Sequence, residues 1–292
     1  MGAPEKQAPL SQVVLVTGKG GVGKTTVALW LASAAAARDG SSVLVEFGDG
    51  ESGRRLLARR KNTIVHEVIA PQEAIARCAA SIFGSGLVAK AVLGNFALKR
   101  FLRATPAIRE LAMLECVRLV AEEHPKKRVV VYMPATGHGV AWLRVPAQMR
   151  DFTAAGPLFS LCDRVCRELL IEKRTSIVVV TLPEPLVLSE TRQLVDAMAK
   201  DVGMRPALVL VNRFPAALPA GALDDARALA GVPGIAGLVR ALEARAAAGT
   251  EARDALHGAF AGAGLLPVLL PQAPSDPQMQ EVAAWLTAEG CA

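Results

Sequence analysis

The chain has 292 residues, of which 52% are hydrophobic and 21% are charged, a balance that excludes an intrinsically disordered protein. Only 4% of the residues are aromatic, so Ala, Val and Leu must build the core, as in parallel sheets covered by helices. The formal net charge of +6 is too small to indicate nucleic-acid binding by itself. The five cysteines are scattered and the N-terminal residues lack an apolar secretory run, which predicts a reducing, cytoplasmic location with free thiols.

Short runs rich in Val and Leu alternate along the chain with Ala- and Leu-rich helical patterns. The runs are apolar throughout, which is typical of strands buried on both faces. They predict strands at residues 13–17, 42–47, 128–133, 176–182, 207–212 and 265–270. Helical periodicity predicts helices at residues 25–38, 187–201 and 276–288. This order favours an α/β fold with a doubly wound, mainly parallel sheet flanked by helices.

Two stretches interrupt the alternation. No convincing strand lies between residues 45 and 129, and residues 145–175 also have a helical pattern. We therefore expect one domain over residues 1–292, with helical insertions at about 50–125 and 145–175. The apolar stretch 258–274 is interrupted by three prolines and is shorter than the roughly 20 residues of a membrane span, so no transmembrane segment is expected. Peripheral association with a membrane stays open.

The strongest signal is the segment Gly18-Lys19-Gly20-Gly21-Val22-Gly23-Lys24-Thr25-Thr26, which follows the first predicted strand and opens the first predicted helix. Its glycines allow backbone N–H groups to surround a phosphate, and the helix N-terminus adds a partial positive charge. Lys24 is expected to contact the β and γ phosphates of ATP, and the Thr25 hydroxyl is expected to bind Mg²⁺. The segment therefore predicts a site for ATP or ADP, made by Gly20, Gly21, Val22, Gly23, Lys24, Thr25 and Thr26.

A lysine directly follows the first glycine of this segment. It makes the segment similar to the deviant phosphate loop of the family that contains MinD, ParA, nitrogenase iron protein and the arsenite-pump ATPase ArsA. In that family the extra lysine reaches the nucleotide of the partner subunit in a face-to-face dimer. The resemblance implies that Lys19 acts catalytically in trans, and that the partner is a second copy of this chain or a paralogous subunit.

The segment Pro134-Ala135-Thr136-Gly137-His138-Gly139-Val140 follows the third predicted strand, and Leu143-Arg144-Val145-Pro146 comes shortly afterwards. This arrangement resembles the second switch of the ArsA branch, which includes arsenite pumps and the ATPases that deliver tail-anchored membrane proteins. The resemblance implies that Thr136 and Gly137 contact the γ-phosphate, that His138 is a sensing or hinge residue, and that the protein has an unidentified protein client. Glu190-Thr191 also resembles a pair of this branch, with an expected role in the scaffold or the dimer.

Other residues at predicted strand ends match positions of this family. Asp49 follows the second strand, where the family has an aspartate that orients the attacking water; it is therefore a candidate catalytic residue and Mg²⁺ ligand, with Glu46 as the rival carboxylate. Asn212 ends the fifth strand, where the family uses an asparagine to read the adenine edge, because an amide can donate and accept together. Arg213 and Pro271 are expected to lie at the same base.

One residue departs from the family pattern. The family places an Mg²⁺-associated aspartate at the end of the third strand of this alignment, and Tyr132 stands there in this chain. A neutral phenol cannot replace a carboxylate beside a divalent ion. The substitution predicts impaired binding of Mg²⁺ or impaired hydrolysis, unless Asp49 or Glu46 takes over part of the role.

Three functions are compatible with these residues. The first is an ArsA-like ATP-binding protein that dimerises around ATP and Mg²⁺ and acts through conformation, with slow hydrolysis. The second is a nucleotide-binding structural or regulatory subunit without turnover, which pairs with a paralogue or assembles into a polymer. The third is a positioning ATPase like MinD or ParA, for which a membrane or DNA surface would be needed. Nucleic acid is not an expected partner of the first two.

Overall fold

The computed structural model describes residues 9–58, 63–83, 105–134, 138–261 and 267–272, with the backbone alone at His138 and Pro271. Within these residues seven strands form one sheet, and all neighbouring strands are parallel. In chain order they are β1 (Val13–Thr17), β2 (Ser42–Phe47), β3 (Ile64–Ile69), β4 (Arg128–Tyr132), β5 (Thr175–Thr181), β6 (Leu208–Phe214) and β7 (Val268–Pro271). The order across the sheet is β3-β2-β4-β1-β5-β6-β7.

The helices lie on both faces of this sheet. In chain order they are α1 (Lys24–Asp39), α2 (Glu51–Leu57), α3 (Pro71–Phe83), α4 (Pro106–Glu123), α5 (His138–Phe152), α6 (Pro157–Arg164), a π-helical turn (Val165–Leu169), α7 (Pro185–Asp201), α8 (Ala222–Ala228) and α9 (Ile235–Phe260). The predicted helices 25–38 and 187–201 are confirmed as α1 and α7. The predicted helix 276–288 lies outside the described residues.

Alternate residues of the central strand pack into two separate cores. Val14 and Val16 of β1 pack with the apolar side chains of α1 on one face. Val13 and Leu15 pack on the other face with residues of α4, α5, α7 and α9. Both faces of the strand are thus buried, which is why its sequence is apolar throughout. The predicted doubly wound α/β fold is confirmed.

The prediction that no strand lies between residues 45 and 129 was wrong. Residues Ile64–Ile69 form β3, which pairs with β2 along its whole length at the edge of the sheet. Five of its six residues are only half-buried, and the strand carries His66 and Glu67 in its middle. An edge strand with a polar centre lacks the continuous apolar run by which the inner strands were predicted. The stretch 50–125 is therefore not purely helical.

The topology creates a crevice at the carboxyl end of β1. The chain leaves β1 toward α1 on one face of the sheet, while it leaves the neighbouring strand β5 toward α7 on the other face. Connections that diverge in this way leave room for a ligand between them. The predicted phosphate loop is the connection between β1 and α1, so the fold places it in this crevice.

Apart from β7, the boundaries of the predicted strands and helices that the structure describes differ by at most two residues. Strand β7 covers Val268–Pro271, whereas residues 265 and 266 of the predicted strand lie outside the described residues. Of the predicted helical stretch 145–175, residues 145–152 and 157–169 are helical. No helix in the described part of the chain is both long enough and apolar enough to cross a membrane.

Candidate nucleotide site

The loop after β1 lies close against β5 and β6. Gly18 has a φ of 140°, and a Cβ atom there would stand 2.2 Å from the carbonyl oxygen of Val180. Gly23 has a φ of 94°, and a Cβ atom there would stand 2.4 Å from Nδ2 of Asn212. Both positions therefore require glycine, for the backbone conformation and for the close approach.

Helix α1 begins directly after the loop and presents its N-terminus to the crevice. Gly23 is the N-cap, the first turn has no acidic side chain, and no described side chain caps it. The backbone N–H groups of the first turn are thus available to an anion, and the helix dipole favours negative charge there. Thr25 and Thr26, both half-buried, lie in this first turn. The arrangement fits a phosphate group.

Lys24 brings a buried cation to the same turn. Lys24 is only 4% exposed, and its Nζ atom donates a hydrogen bond of 2.7 Å to the carbonyl oxygen of Lys19. Burial lowers the pKa of Lys24 to about 8, because the protein interior disfavours the charged form. Its partner is a neutral carbonyl, so a negatively charged phosphate would stabilise this ammonium group far better.

Lys19 is exposed at the rim of the loop and forms an ion pair with a residue of α7. Its Nζ atom contacts Oε2 of Glu190, and the two side chains are 44% and 40% exposed. The sequence predicted Lys19 as a residue of the site but did not identify this partner. Lys19 therefore has a contact within its own chain.

Asn212 holds the loop in place. Its Nδ2 atom donates to the carbonyl oxygen of Val22 at 2.9 Å, and its Oδ1 atom accepts from the backbone N–H of Arg213 at 3.0 Å. Arg213 has a φ of 56°, and the pairing of β6 with β7 is irregular between Val211 and Phe214. This irregularity turns the Asn212 side chain under the loop. The structural role was not predicted, while the predicted contact of Asn212 and Arg213 with adenine stays a prediction.

Asp49 lies in the exposed turn between β2 and α2. Its Oδ1 atom accepts a hydrogen bond of 3.0 Å from the backbone N–H of Glu51, and its carbonyl oxygen accepts one of 2.6 Å from Arg54. The carboxylate is therefore fixed at the start of α2, at the edge where the carboxyl ends of the strands meet. Its predicted action on water and Mg²⁺ stays a prediction.

Glu46, the rival carboxylate, is engaged elsewhere. It is 5% exposed, and its Oε2 atom accepts a hydrogen bond of 2.7 Å from the backbone N–H of Gly53. The same oxygen lies 3.2 Å from Nε2 of His66 in β3. Glu46 thus joins α2 to β2 and β3, beside the turn that carries Asp49.

The predicted second switch is described only in part. Thr136 and Gly137 lie outside the described residues, and His138 begins α5. A Cβ atom on Gly139 would stand 2.6 Å from Oγ1 of Thr17, the last residue of β1. The start of α5 therefore lies directly against the strand that leads into the phosphate loop.

Tyr132 ends β4 between the two strands that carry the site. In the sheet register it is the neighbour of Val16 in β1 and of Glu46 in β2. It is half-buried and packs against the core on the α1 face. A carboxylate at this position would lie beside the phosphate loop, and the chain has a phenol there instead.

The residues fit a phosphate group better than they fit a metal ion alone. Across the described ranges, no three His, Cys, Asp or Glu side chains lie close enough together to hold a metal. A divalent ion here would depend on the Thr25 hydroxyl, on phosphate oxygens and on water, with Asp49 as the available carboxylate. Pro271, which was predicted at the base, pairs in β7 with Phe214, two residues after Asn212.

Comparison with known proteins agrees with this geometry. The model of the CbiA family, the CobQ/CobB/MinD/ParA nucleotide binding domain, matches residues 13–249. The chain is 28% identical over 220 residues to ATPase BagA of Mycobacterium tuberculosis and to "Putative ATPase Mb3704" of Mycobacterium bovis. These matches cover 68% of this chain and 64% of each relative, so the chain spans less than two thirds of the length of these curated relatives. Because the family match extends from β1 into α9 and covers most of the chain, this protein belongs to the CobQ/CobB/MinD/ParA nucleotide-binding family.

Proposed function

We propose that this protein binds ATP in the loop between β1 and α1, dimerises with a second copy or a paralogue around the nucleotide, and uses the closed state as a conformational signal. One observation carries the proposal. Lys24 is buried against the α1 N-terminus while Lys19, five residues earlier in the loop, is exposed at its rim. Lys24 can contact the nucleotide bound to its own subunit, and Lys19 can contact the nucleotide bound to the second subunit.

The residues of the loop and Asp49 have separate roles in this proposal. The N–H groups of the loop and of the first turn of α1 bind the phosphates, and Lys24 supplies a fixed positive charge to them. The Thr25 hydroxyl and Asp49 would hold Mg²⁺, which supplies charge neutralisation at the phosphates. Asp49 also orients the attacking water, since its backbone turn is anchored by Glu51 and Arg54.

The surrounding elements sense and select the nucleotide. Thr136 and Gly137 would contact the γ-phosphate at the start of α5, and His138 would transmit its presence to that helix. Asn212 and Arg213 at the end of β6 border the adenine, with Pro271 of β7 beside them. The unidentified client would bind to the closed state, as the resemblance to the ArsA branch implies.

The name ATPase of both relatives supports hydrolysis, and Tyr132 argues against rapid hydrolysis. We therefore assign slow turnover to this chain. The second candidate, a nucleotide-binding subunit without turnover, is favoured by Tyr132 alone. Release of phosphate by the purified chain with ATP and Mg²⁺ separates the two, since the second predicts none above background.

Binding itself is tested by titration with a fluorescent ATP analogue. Replacing Lys24 by methionine, as Lys24→Met, removes a charge-assisted contact of about 1.5–3 kcal/mol, so affinity should fall at least about tenfold. Lys126→Met is the matched control, because Lys126 is exposed in the turn before the opposite, amino end of β4. Equal affinity of wild type and Lys24→Met would refute the nucleotide site.

A further inference from the structure

The Lys19 side chain lies against Glu190 of its own subunit, whereas the proposed function needs this ammonium group at the nucleotide of a second chain. One side chain cannot occupy both places. We infer that the Lys19–Glu190 ion pair is an autoinhibitory latch, which retains Lys19 on its own subunit until bound nucleotide releases it toward a second copy of this chain. The inference rests on the proposed function and adds a residue that regulates it.

Helix α7 is anchored to the sheet through Thr191, the residue that follows Glu190. The Thr191 hydroxyl is buried, lies 2.8 Å from the hydroxyl of Thr181 at the end of β5, and donates to the carbonyl oxygen of Val187 at 2.7 Å. Because β5 is the neighbour of β1, these contacts fix α7 beside the phosphate loop. The backbone that carries Glu190 is therefore fixed, so we assign the movement to Lys19.

Lys19 is connected to the phosphate site through its backbone. The Lys24 ammonium group donates to the carbonyl oxygen of Lys19, while the Lys19 ammonium group contacts Glu190. A phosphate at the N-terminus of α1 would attract Lys24, which would then give up its hydrogen bond to Lys19. Nucleotide binding would thus loosen the backbone of the residue that forms the latch.

Space beside the latch allows this movement. A cleft of about 470 Å³ lies between α5 and α7 next to Lys19, with apolar side chains such as Val140 and Leu194 in its wall. About 16 Å further along α7, a second ion pair of 3.2 Å joins Arg144 of α5 to Asp201. Lys19 can therefore leave Glu190 without repacking of the core, and the second pair still links the two helices.

The solvent exposure of the Lys19–Glu190 ion pair limits the free energy that it can contribute. With side chains 44% and 40% exposed, the pair is screened by water and salt. Because each dimer opens two latches, their removal should lower the protein concentration needed for half-maximal dimerisation by about two- to thirtyfold. A larger change in the dimerisation concentration would exceed what exposed ion pairs can contribute.

Sedimentation velocity at a saturating concentration of a slowly hydrolysed ATP analogue tests the latch. Glu190→Gln removes the charge and retains the shape of the side chain, and it should shift half-maximal dimerisation to about two- to thirtyfold lower protein concentration. Asp196→Asn is the matched control, because it breaks the exposed Arg192–Asp196 pair on the same helix without touching the loop. In a Lys19→Ala background, Glu190→Gln should not restore dimerisation, because the lysine that must reach the second chain is absent.

Failure of the latch differs from failure of the proposed function. If wild type dimerises and Glu190→Gln behaves identically, or if Asp196→Asn has the same effect, the latch alone is refuted. If all variants bind the analogue and none dimerises, the dimeric function is refuted and the latch with it. Loss of analogue binding in wild type would refute the nucleotide site itself.

A second readout needs neither nucleotide nor dimer. In the free chain the latch shields the Lys19 ammonium group, so acylation of Lys19 by an amine-reactive reagent should be faster in Glu190→Gln than in wild type. Peptide mass spectrometry measures this, with Lys126 as the internal reference because it is exposed and distant in the fold. Equal rates at Lys19 in both proteins would contradict a contact that restrains it.

Discussion

Lys24 places a positive charge in the protein interior, where burial disfavours the charged form. The residue is 4% exposed, its hydrogen-bond acceptor is an uncharged carbonyl, and burial lowers its pKa to about 8. Such a group weakens the folded state without ligand and is stabilised when an anion arrives. The cost of burying this lysine is thus what we expect if Lys24 binds an anion.

This pKa predicts how nucleotide affinity depends on pH. The protonated form of Lys24 attracts phosphate, so affinity should be highest below about pH 8 and should fall by up to about tenfold per pH unit above it. Above that pH the free lysine is neutral, and binding must take up a proton. Calorimetric titration at about pH 7, 8 and 9, in two buffers of different ionisation enthalpy, measures both effects.

Lys24→Met is the control for this pH dependence. The variant lacks the titrating group, so its weaker affinity should change little over the same range. A wild-type affinity that stays constant between about pH 7 and pH 9, or a slope that the variant shares, would assign the proton to another group.

Tyr132 sets the rate of turnover in the proposed mechanism. It stands at the end of β4 beside the phosphate loop, where a carboxylate would support Mg²⁺. We expect wild-type turnover below about 1 s⁻¹, and Tyr132→Asp should raise the Mg²⁺-dependent release of phosphate at least about tenfold. A malachite-green assay with and without Mg²⁺ measures the change.

Tyr132→Asn separates charge from size in this experiment. The amide has nearly the same shape as the carboxylate but no charge, so it should give no gain, and thermal melting must show that both variants are folded. If the folded aspartate variant does no better than the asparagine variant, another residue supports the metal or the phosphate is not hydrolysed here.

At the scale of elements, α2 depends on one glycine. A Cβ atom on Gly53 would stand 2.3 Å from Nε2 of His66 and 2.7 Å from Oε2 of Glu46. Gly53→Ala should therefore lower the free energy of unfolding by about 1–3 kcal/mol, because either α2 or the buried side chains of His66 and Glu46 must shift. Unfolding in urea measures this loss.

Gly237→Ala provides the matched comparison within another helix. Nothing lies within 4 Å of a Cβ atom at Gly237, and the residue is exposed in α9. Gly237 lies in the first turn of α9, so alanine there should raise the stability by at most the roughly 0.5–1 kcal/mol expected in a helix interior. Equal effects of the two substitutions would mean that Gly53 is not confined by His66 and Glu46.

The inner strands and helices could be predicted from the sequence because buried elements have an apolar composition. Val13–Thr17 is buried in all five residues, and α1 ends at a glycine with a φ of 80°. The edge strand β3 could not be predicted in this way, because His66 takes part in a contact with Glu46 that only the folded chain brings together. Local pattern does not reveal a polar residue that is satisfied by a distant partner.

The site was predictable to the same degree. The spacing of glycines and Lys24 predicts the phosphate loop, since the loop geometry depends on adjacent residues. The contacts of Asn212 with Val22, and of Lys19 with Glu190, join residues that are far apart in the chain. These contacts depend on the bulge in β6 and on the position of α7, and neither feature has a local sequence signal.

At the scale of the whole molecule, the parallel sheet collects the proposed functional residues at one edge. The carboxyl ends of β1, β2, β4 and β6 carry the phosphate loop, Asp49, Tyr132 and Asn212. Helix α5 begins at this edge beside Thr17, and α7 brings Glu190 to it. A nucleotide bound there would contact connections to both faces of the sheet, which is what a conformational signal requires.

The measurement that tests this account most directly is the mass of the chain in solution with a slowly hydrolysed ATP analogue and Mg²⁺. Sedimentation velocity should show wild type as a monomer without nucleotide and as a dimer with it. Lys19→Ala should bind the analogue with nearly wild-type affinity and remain a monomer, because its loop is intact but the outward lysine is lost. A wild type that stays monomeric when saturated, or a Lys19→Ala variant that dimerises as wild type does, would contradict the account.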